Sequence, residues 1–294
     1  MEGEINLSEL NKAEKYLLEN LTRLAEEGCV DENPRPKWED DKPAHSIYIA
    51  PVFETYDISK GETPITETRP IYFKKAIGEI KWIYSDQSND LSVLRDKYGI
   101  KWWDDFEVDN TNTIGNRYGE TVRIHNLLDN LLKGLEEDKY SRRHVMSLWQ
   151  VEDFKLSGGL LPCFFMTTFT VRKVNNIEYL DMTLHSRSND YLVAGFVNRI
   201  QYLALQMMIA KHLSLEVGKF NIYVQNLHIY DRHVEQAEET VKRITELRKR
   251  EVQSQPKLIL NVPNGTNFHD INVDDFELIN YEPIKPQLKF KVAI

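Results

Sequence analysis

Hydrophobic residues recur at helical spacing in five parts of the chain. In the first, apolar positions three or four residues apart run from Leu10 to Leu24, and Gly28 follows as a stop signal. The same spacing predicts helices over residues 72–84, 122–135, 198–213 and 234–250. Residues 198–213 are strongly apolar, which indicates a core helix, whereas residues 234–250 are rich in charge and should face solvent.

Other apolar runs have the length and pattern of β-strands. They cover residues 144–149, 163–174, 177–185 and 220–230. Asn175 and Asn176 separate two of these runs, and asparagine tolerates the left-handed backbone of a tight hairpin turn. Because strands and long helices are mixed without regular alternation, the sequence predicts an α+β fold. With neither an internal repeat nor a long flexible linker, we expect residues 1–294 to form a single domain.

Residues 31–44 form a polar segment that contains three prolines and reads as a loop. Arg35, Lys37 and Trp38 are unusual residues for a plain connector. Two interpretations stay open. The segment is either an ordinary surface connection or a loop that carries ligand contacts on a rigid scaffold.

Charge and composition narrow the function classes. The chain has 37 Lys and Arg against 46 Asp and Glu, a net charge of −9, which argues against DNA or other nucleic acid as a partner. A small anion held by a few converging arginines remains compatible. The apolar runs are shorter than a membrane span needs, and the acidic N-terminus does not resemble a signal peptide. With only two cysteines, the sequence predicts a cytoplasmic protein without a membrane association.

Common cofactor signatures do not occur: there is no glycine-rich phosphate loop, no HExxH and no paired-cysteine metal motif. Two other motifs are candidates for chemistry. Arg142 and Arg143 could grip an oxyanion through their fork-shaped donors, or could be ordinary surface arginines. Cys163 begins an apolar strand and is either a small buried hydrophobe or a nucleophile stabilised by a cation such as Arg187.

Polar residues also cluster around the start of the helix predicted over residues 198–213. Ser188, Asn189 and Asp190 could simply cap that helix, but Asn198 lies within the apolar pattern and needs hydrogen-bond partners if buried. An amide both donates and accepts, so it can match the imide edge of uracil. Further on, the strand residues His228 and Tyr230 share one face and could bind a sugar hydroxyl or pack in the core.

Taken in order, these motifs resemble the folate-dependent thymidylate synthase family over nearly the whole chain, from residue 35 to residue 294. The matching segments are Ser141-Arg142-Arg143, Pro162-Cys163, Arg187-Ser188-Asn189-Asp190 with Asn198, His228-Ile229-Tyr230 and Val292-Ala293-Ile294. The loop around Arg35 and Trp38 looks like that of a Gram-positive branch. The resemblance implies a mixed sheet with flanking helices, and a homodimer formed through one face of the sheet.

The resemblance also implies a catalytic set for the reductive methylation of dUMP to dTMP. Cys163 would attack C6 of dUMP, and Arg187 would lie near both the thiolate and the phosphate. Glu79 would organise water and proton transfers, and Tyr118 would assist removal of the proton from C5.

The implied substrate-binding set comprises Arg35, Arg142, Arg143, Arg187, Ser188, Asn189, Asp190, Asn198, His228, Ile229 and Tyr230. The arginines would bind the phosphate, with Arg142 and Arg143 reaching across from the partner subunit. Asn198 would recognise the pyrimidine, and His228 and Tyr230 the deoxyribose hydroxyl.

The resemblance implies 5,10-methylenetetrahydrofolate as co-substrate, in contact with Tyr72, Trp103, Asp190 and Ala293. Since this folate would supply both the one-carbon unit and the hydride, neither a metal nor a flavin is expected.

Some positions depart from the family pattern. Phe164 stands where histidine is usual, Thr168 where glutamine is common, and residues 193–197 lack a familiar glycine and proline. Two alternatives therefore stay open: a dUMP 5-hydroxymethylase, in which water quenches the intermediate, and a non-catalytic nucleotide-binding homologue. Retention of Cys163 and Glu79 favours an enzyme.

Overall fold

The computed structural model describes residues 10–250 and 255–293, and combines eight α-helices with eleven strands in that part of the chain. The helices are α1 Lys12–Glu27, α2 Phe73–Tyr84, α3 Leu91–Tyr98, α4 Gly119–Ile124, α5 Leu127–Glu137, α6 Val151–Leu156, α7 Phe196–His212 and α8 Val234–Arg248. The strands are β1 Cys29–Val30, β2 Ser46–Ile49, β3 Val52–Asp57, β4 Val145–Ser147, β5 Phe164–Val174, β6 Ile177–Ser186, β7 Asn189–Asp190, β8 Glu216–Val224, β9 Leu227–Tyr230, β10 Lys257–Leu260 and β11 Phe276–Ile279. The predicted α+β class is confirmed.

The central element is a five-stranded mixed sheet with the order β3-β8-β6-β5-β4. Strands β6 and β8 are parallel, and the other neighbouring pairs are antiparallel. The hairpin between β5 and β6 turns at Asn175 and Asn176, whose φ angles are 50° and 65°. The hairpin predicted from these two asparagines is therefore confirmed.

Helix α7 lies in the core, as its apolar sequence predicts. The amide of Gln206 joins the helix to the sheet by donating to the carbonyls of Leu180 (2.8 Å) and Lys219 (3.0 Å). In the part of the chain that the structure describes, one helical stretch, Tyr191–His212, is long and apolar enough to cross a membrane, and 78% of its apolar window is buried in the protein. Packing against the sheet accounts for its composition.

A second sheet, with the order β1-β2-β9-β7, brings distant polar residues together. Strand β7 pairs in parallel with β9, which places Asn189 beside Leu227 and Asp190 beside His228. The candidate residues near position 190 and those near position 228 therefore meet at one edge of this small sheet.

Two predicted elements are wrong in extent. Residues 122–135 form not one helix but α4 and α5, because Asn126 adopts a left-handed φ of 48° between them. Residues 220–230 form not one strand but β8 and β9, which belong to different sheets. The chain leaves the large sheet where the Gln225 amide donates to the Ser186 carbonyl, at 2.9 Å. The segment 31–44 is a loop as predicted, with a single β-bridge between Lys37 and Pro43.

Candidate active site

A cleft of about 1160 Å³ opens between the two sheets and helices α2 and α7. Its wall contains most of the residues singled out from the sequence, which are Arg35, Glu79, Trp103, Tyr118, Cys163, Arg187, Ser188, Asn189, Asp190, Asn198, His228, Tyr230 and Ala293. Four candidates lie elsewhere. Ile229 is buried on β9, Tyr72 is 62% exposed, and Arg142 and Arg143 are exposed outside the cleft.

Cys163 lies at the bottom of the cleft, immediately before β5. Burial raises the pKa of its thiol, while the positive charges of Arg187 and Arg35 lower it. Arg187 Nη2 lies 3.6 Å from the Cys163 Sγ. The same guanidinium donates to the carbonyls of Leu161 (2.7 Å) and Pro162 (3.0 Å), so its position is fixed. A partly buried thiol with an immobilised cation beside it can form a thiolate.

Tyr118 also contacts Cys163. Its hydroxyl accepts a hydrogen bond from the Cys163 amide, at 3.4 Å. Burial, and secondarily the nearby thiol, raise the pKa of Tyr118 well above its usual value, so the phenol keeps its proton at neutral pH. Its backbone has φ 48° and ψ −108°, an uncommon conformation for a bulky residue and one that marks functional sites.

Glu79 projects from α2 into the cleft and is buried. Burial raises the pKa of its carboxyl, opposed chiefly by hydrogen bonding from Trp102. Trp102 Nε1 donates to Glu79 Oε2 at 2.5 Å. A carboxyl whose pKa is raised in this way is suited to accepting and returning a proton.

Two residues of this group were missed by sequence reasoning. Trp102 is adjacent to Trp103, but only Trp103 was selected; the pairing of two tryptophans was the available signal. Gln201 lies three residues after Asn198, which is one helical turn, and its Oε1 accepts from Asn198 Nδ2 at 2.8 Å. A second amide at this spacing in a buried helix indicates a polar partner for the first.

Asp190 and His228 form a polar edge of the cleft through β7 and β9. Burial raises the pKa of Asp190 to about 7, so the carboxyl can donate as well as accept. Its Oδ1 also accepts from the Val193 amide at 3.2 Å, which is the capping interaction that the sequence left open. Burial lowers the pKa of His228 to about 4, so this imidazole is neutral at physiological pH.

An apolar wall faces this polar edge. Ile83, Trp103, Phe106, Val193, Ala194 and Val197 form it. The Trp103 indole nitrogen is buried without a hydrogen-bond partner among the described residues. Such a wall beside a polar edge is typical of sites that bind a flat, partly apolar ring. Ala293 lies at the rim, whereas Ile294 is outside the described residues.

A metal ion within the described ranges, 10–250 and 255–293, would require a set of ligand side chains. No group of three or more His, Cys, Asp or Glu side chains is arranged to hold an ion there. The cleft combines a thiol, cations and amides, an arrangement suited to the class of enzymes that act on an anionic ligand through a cysteine.

Comparisons with known proteins identify the family within this class. A family model described as thymidylate synthase matches residues 15–294. A thymidylate synthase of Streptococcus suis (strain 05ZYH33) is 53% identical over 285 residues, covering 97% of this chain and 100% of that protein. One of Streptococcus pneumoniae (strain 70585) is 52% identical over the same share of both chains. The solved structure of thermostable thymidylate synthase A from Bacillus subtilis superposes with a TM-score of 0.83, at 30% identity, over 96% of this chain and 99% of that one.

The chain belongs to the thymidylate synthase family. It is accordingly a methyltransferase, of a family that uses methylenetetrahydrofolate as its co-substrate.

Proposed function

We propose that the cleft converts dUMP to dTMP through a covalent bond between Cys163 Sγ and C6 of the pyrimidine. The observation that carries the proposal is the partly buried thiol with Arg187 Nη2 at 3.6 Å, in a cleft large enough for a nucleotide and a folate together. Arg187 stabilises the thiolate before attack, and bond formation leaves an electron pair on C5, conjugated with the O4 carbonyl.

The dUMP phosphate binds beside the nucleophile. Arg35 and Arg187 both line the cleft near the thiol, and each lowers its pKa through positive charge. Arg142 of the partner subunit and Arg143 of the partner subunit complete this set. The exposed Arg142 and Arg143 of this chain form no ion pair with its described residues, so both are available to a second copy.

Side-chain amides and a neutral imidazole recognise the nucleoside through hydrogen bonds. Asn198 bonds the imide edge of the base, while Ser188 and Asn189 hold the adjoining part of the wall. His228 and Tyr230 bond the deoxyribose hydroxyl; the two rings are 5.3 Å apart and nearly perpendicular. Ile229 packs beneath them, and its contribution to binding is support of the strand.

The folate binds against the apolar wall, with Asp190 bonded to its pterin and Trp103 beside the ring. It supplies the one-carbon unit and then the hydride, and so leaves as dihydrofolate. Between these two transfers, Tyr118 and Glu79 carry the C5 proton away through water, and the bond from the transferred carbon to the folate nitrogen breaks. The hydride then adds to that carbon, and the Sγ–C6 bond breaks to restore the thiolate. Ala293 helps to close the rim, and Tyr72, exposed outside the cleft, contacts the glutamate end of the folate.

We also propose that the protein is a cytoplasmic homodimer of single-domain subunits. One face of the five-stranded sheet is covered by α7, while the other presents Phe53, 59% exposed, and a row of partly exposed aromatic rings. Phe165, His185 and Tyr223 form that row, at centroid distances of 6.5 Å and 6.3 Å. An apolar sheet face of this kind is suited to a symmetric interface.

Trapping the adduct tests the nucleophile. Fluoro-dUMP with methylenetetrahydrofolate should give a stable ternary adduct, because fluorine at C5 cannot leave as a proton. Intact-protein mass spectrometry should show the added mass in the parental protein and in Cys29→Ser, and none in Cys163→Ser. An equal mass increase in Cys163→Ser would refute the assignment.

A further inference from the structure

A fully buried ion pair lies directly behind the wall that recognises the base. Arg199, on α7, donates from Nε to Glu54 Oε2 at 2.8 Å and from Nη2 to Oε1 at 2.6 Å. Neither side chain is exposed. Tyr56 donates to the same carboxylate at 2.8 Å, and Asn20 does so at 3.4 Å. The charge of Glu54 is therefore compensated from several sides, and the guanidinium is held in one position.

The remaining nitrogen of this guanidinium points to the cleft wall. Arg199 Nη1 donates to Asn189 Oδ1 at 3.2 Å and to the Gly195 carbonyl at 2.7 Å. A Cβ on Gly195 would lie 3.3 Å from Nη1, so a residue without a side chain leaves room for this approach. Since arginine can only donate, the oxygen of the Asn189 amide must face it.

The amide orientation that Arg199 imposes on Asn189 also determines the orientation of two further side-chain amides, those of Asn198 and Gln201. With its oxygen turned to Arg199, Asn189 presents Nδ2 to Asn198 Oδ1, at 3.5 Å. Asn198 in turn donates from Nδ2 to Gln201 Oε1, at 2.8 Å. Gln201 Nε2 ends the series as a buried donor without a hydrogen-bond partner among the described residues, on the cleft wall that it shares with Glu79. Every amide in the series thus has one consistent orientation.

We propose that Arg199 is a positioning residue for base selection: through Asn189, it fixes which atom of the Asn198 amide donates and which accepts. Uracil offers a donor at N3 and an acceptor at O4, whereas cytosine offers an acceptor at N3 and a donor at N4. An Asn198 amide of fixed orientation matches only one of these edges, and a reversed amide would match the other. The inference rests on the proposed function, since it specifies how the same cleft chooses its pyrimidine.

Paired substitutions separate this role from stability. Arg199→Met alone leaves Glu54 buried and unpaired, so the double variant Glu54→Gln/Arg199→Met removes both charges together. Asn189→Asp leaves the ion pair in place and is nearly isosteric. Its carboxylate still accepts from Arg199 but cannot donate to Asn198, so the Asn198 amide should turn its nitrogen toward residue 189.

The measurement is the dissociation constant of the full chain for dUMP and for dCMP, by calorimetry. We expect the ratio of the dCMP to the dUMP constant to fall by about tenfold in Asn189→Asp and in the double variant, a typical cost of one mismatched base edge. Arg243→Met is the matched control. Arg243 is also buried, but it donates to the carbonyls of Thr68 and Pro286, outside the amide series. The ratio of the dCMP to the dUMP dissociation constant in Arg243→Met should equal that of the parental protein.

Different results would contradict the binding of dUMP by the cleft and the role of Arg199 in base selection. Parental protein that does not bind dUMP would contradict the proposed function itself. Parental binding of dUMP together with an unchanged ratio in Asn189→Asp would overturn only the role of Arg199. Equal weakening for both nucleotides in the double variant would overturn it as well, since that result describes a structural residue.

Discussion

At the scale of single residues, the reactivity of Cys163 depends on a balance between burial and charge. Burial raises the pKa of the thiol, and Arg187 and Arg35 lower it. Removing the charge of Arg187 should raise the pKa further, so the thiolate should form only at higher pH. The alkylation rate with iodoacetamide against pH should have its inflection at least about one pH unit higher in Arg187→Gln.

Two further variants serve as controls for the charge and the position of Arg187. Arg187→Lys retains the charge and should recover most of the shift. Arg172→Gln removes an arginine that pairs with Asp181, away from the cleft, and should leave the inflection unchanged. An unchanged inflection in Arg187→Gln would show that Arg187 does not stabilise the thiolate.

The sequence identified most clearly those site residues that belong to short local motifs. Cys163, Arg187, Asn198 and His228 belong to short motifs, and the fold brings all four to one cleft. Arg199 and Gln201 could not be selected in this way. Their importance depends on Glu54, which is 145 residues from Arg199 in sequence, and on the direction of hydrogen bonds, which only the folded structure specifies.

At the scale of elements, the position of Tyr118 depends on close contact between α4 and the loop that joins α2 to α3. A Cβ built on Gly119 would lie 2.1 Å from the Ser88 carbonyl oxygen and 2.5 Å from its nitrogen. Gly119→Ala must therefore displace α4 and the adjoining Tyr118. We expect a loss of about 1–3 kcal/mol in the free energy of unfolding, measured in urea, and a lower kcat.

Gly134 provides the matched control because it also lies within a helix, α5, but a side chain there would meet no close contact. The atom closest to a Cβ there would be His144 Nδ1, at 3.5 Å, an ordinary contact. Gly134→Ala should keep the parental kcat and gain up to about 1 kcal/mol of stability. If both alanine variants behaved alike, close packing at Gly119 would not position Tyr118.

Element boundaries show where local sequence signals are sufficient. Asn175 and Asn176 mark a hairpin because two apolar runs flank them, and the structure confirms that turn. Asn126 adopts a similar left-handed conformation, but the apolar pattern continues through it, so the break between α4 and α5 was not apparent. Likewise, the transfer of the chain from β8 to β9 depends on partners more than 30 residues away in sequence.

At the scale of the whole molecule, we propose that the active site is shared between two copies of the chain. Cys163→Ser should be inactive because it lacks the nucleophile. Arg142→Met/Arg143→Met should be inactive because each of its sites lacks the two phosphate ligands that the other subunit would supply. Heterodimers formed by unfolding and refolding a mixture should contain one complete site. We expect about a quarter of the parental activity, since half of the dimers would have one of their two sites.

A mixture as inactive as its two components would contradict the shared site. Size-exclusion chromatography with light scattering on the same samples establishes whether dimers form. Dimers without activity would show that Arg142 and Arg143 do not reach the phosphate site of the partner subunit. Monomers would show that the sheet face does not form an interface.

The most direct test of the account measures the folate product. A thymidylate synthase oxidises its co-substrate when the hydride is transferred, whereas capture of the intermediate by water would return tetrahydrofolate. Given the apolar wall, the buried Glu79 and Tyr118 and the rim residue Ala293, we predict dihydrofolate and dTMP in a one-to-one ratio, measured by absorbance and chromatography. Hydroxymethyl-dUMP formed without dihydrofolate would contradict the account.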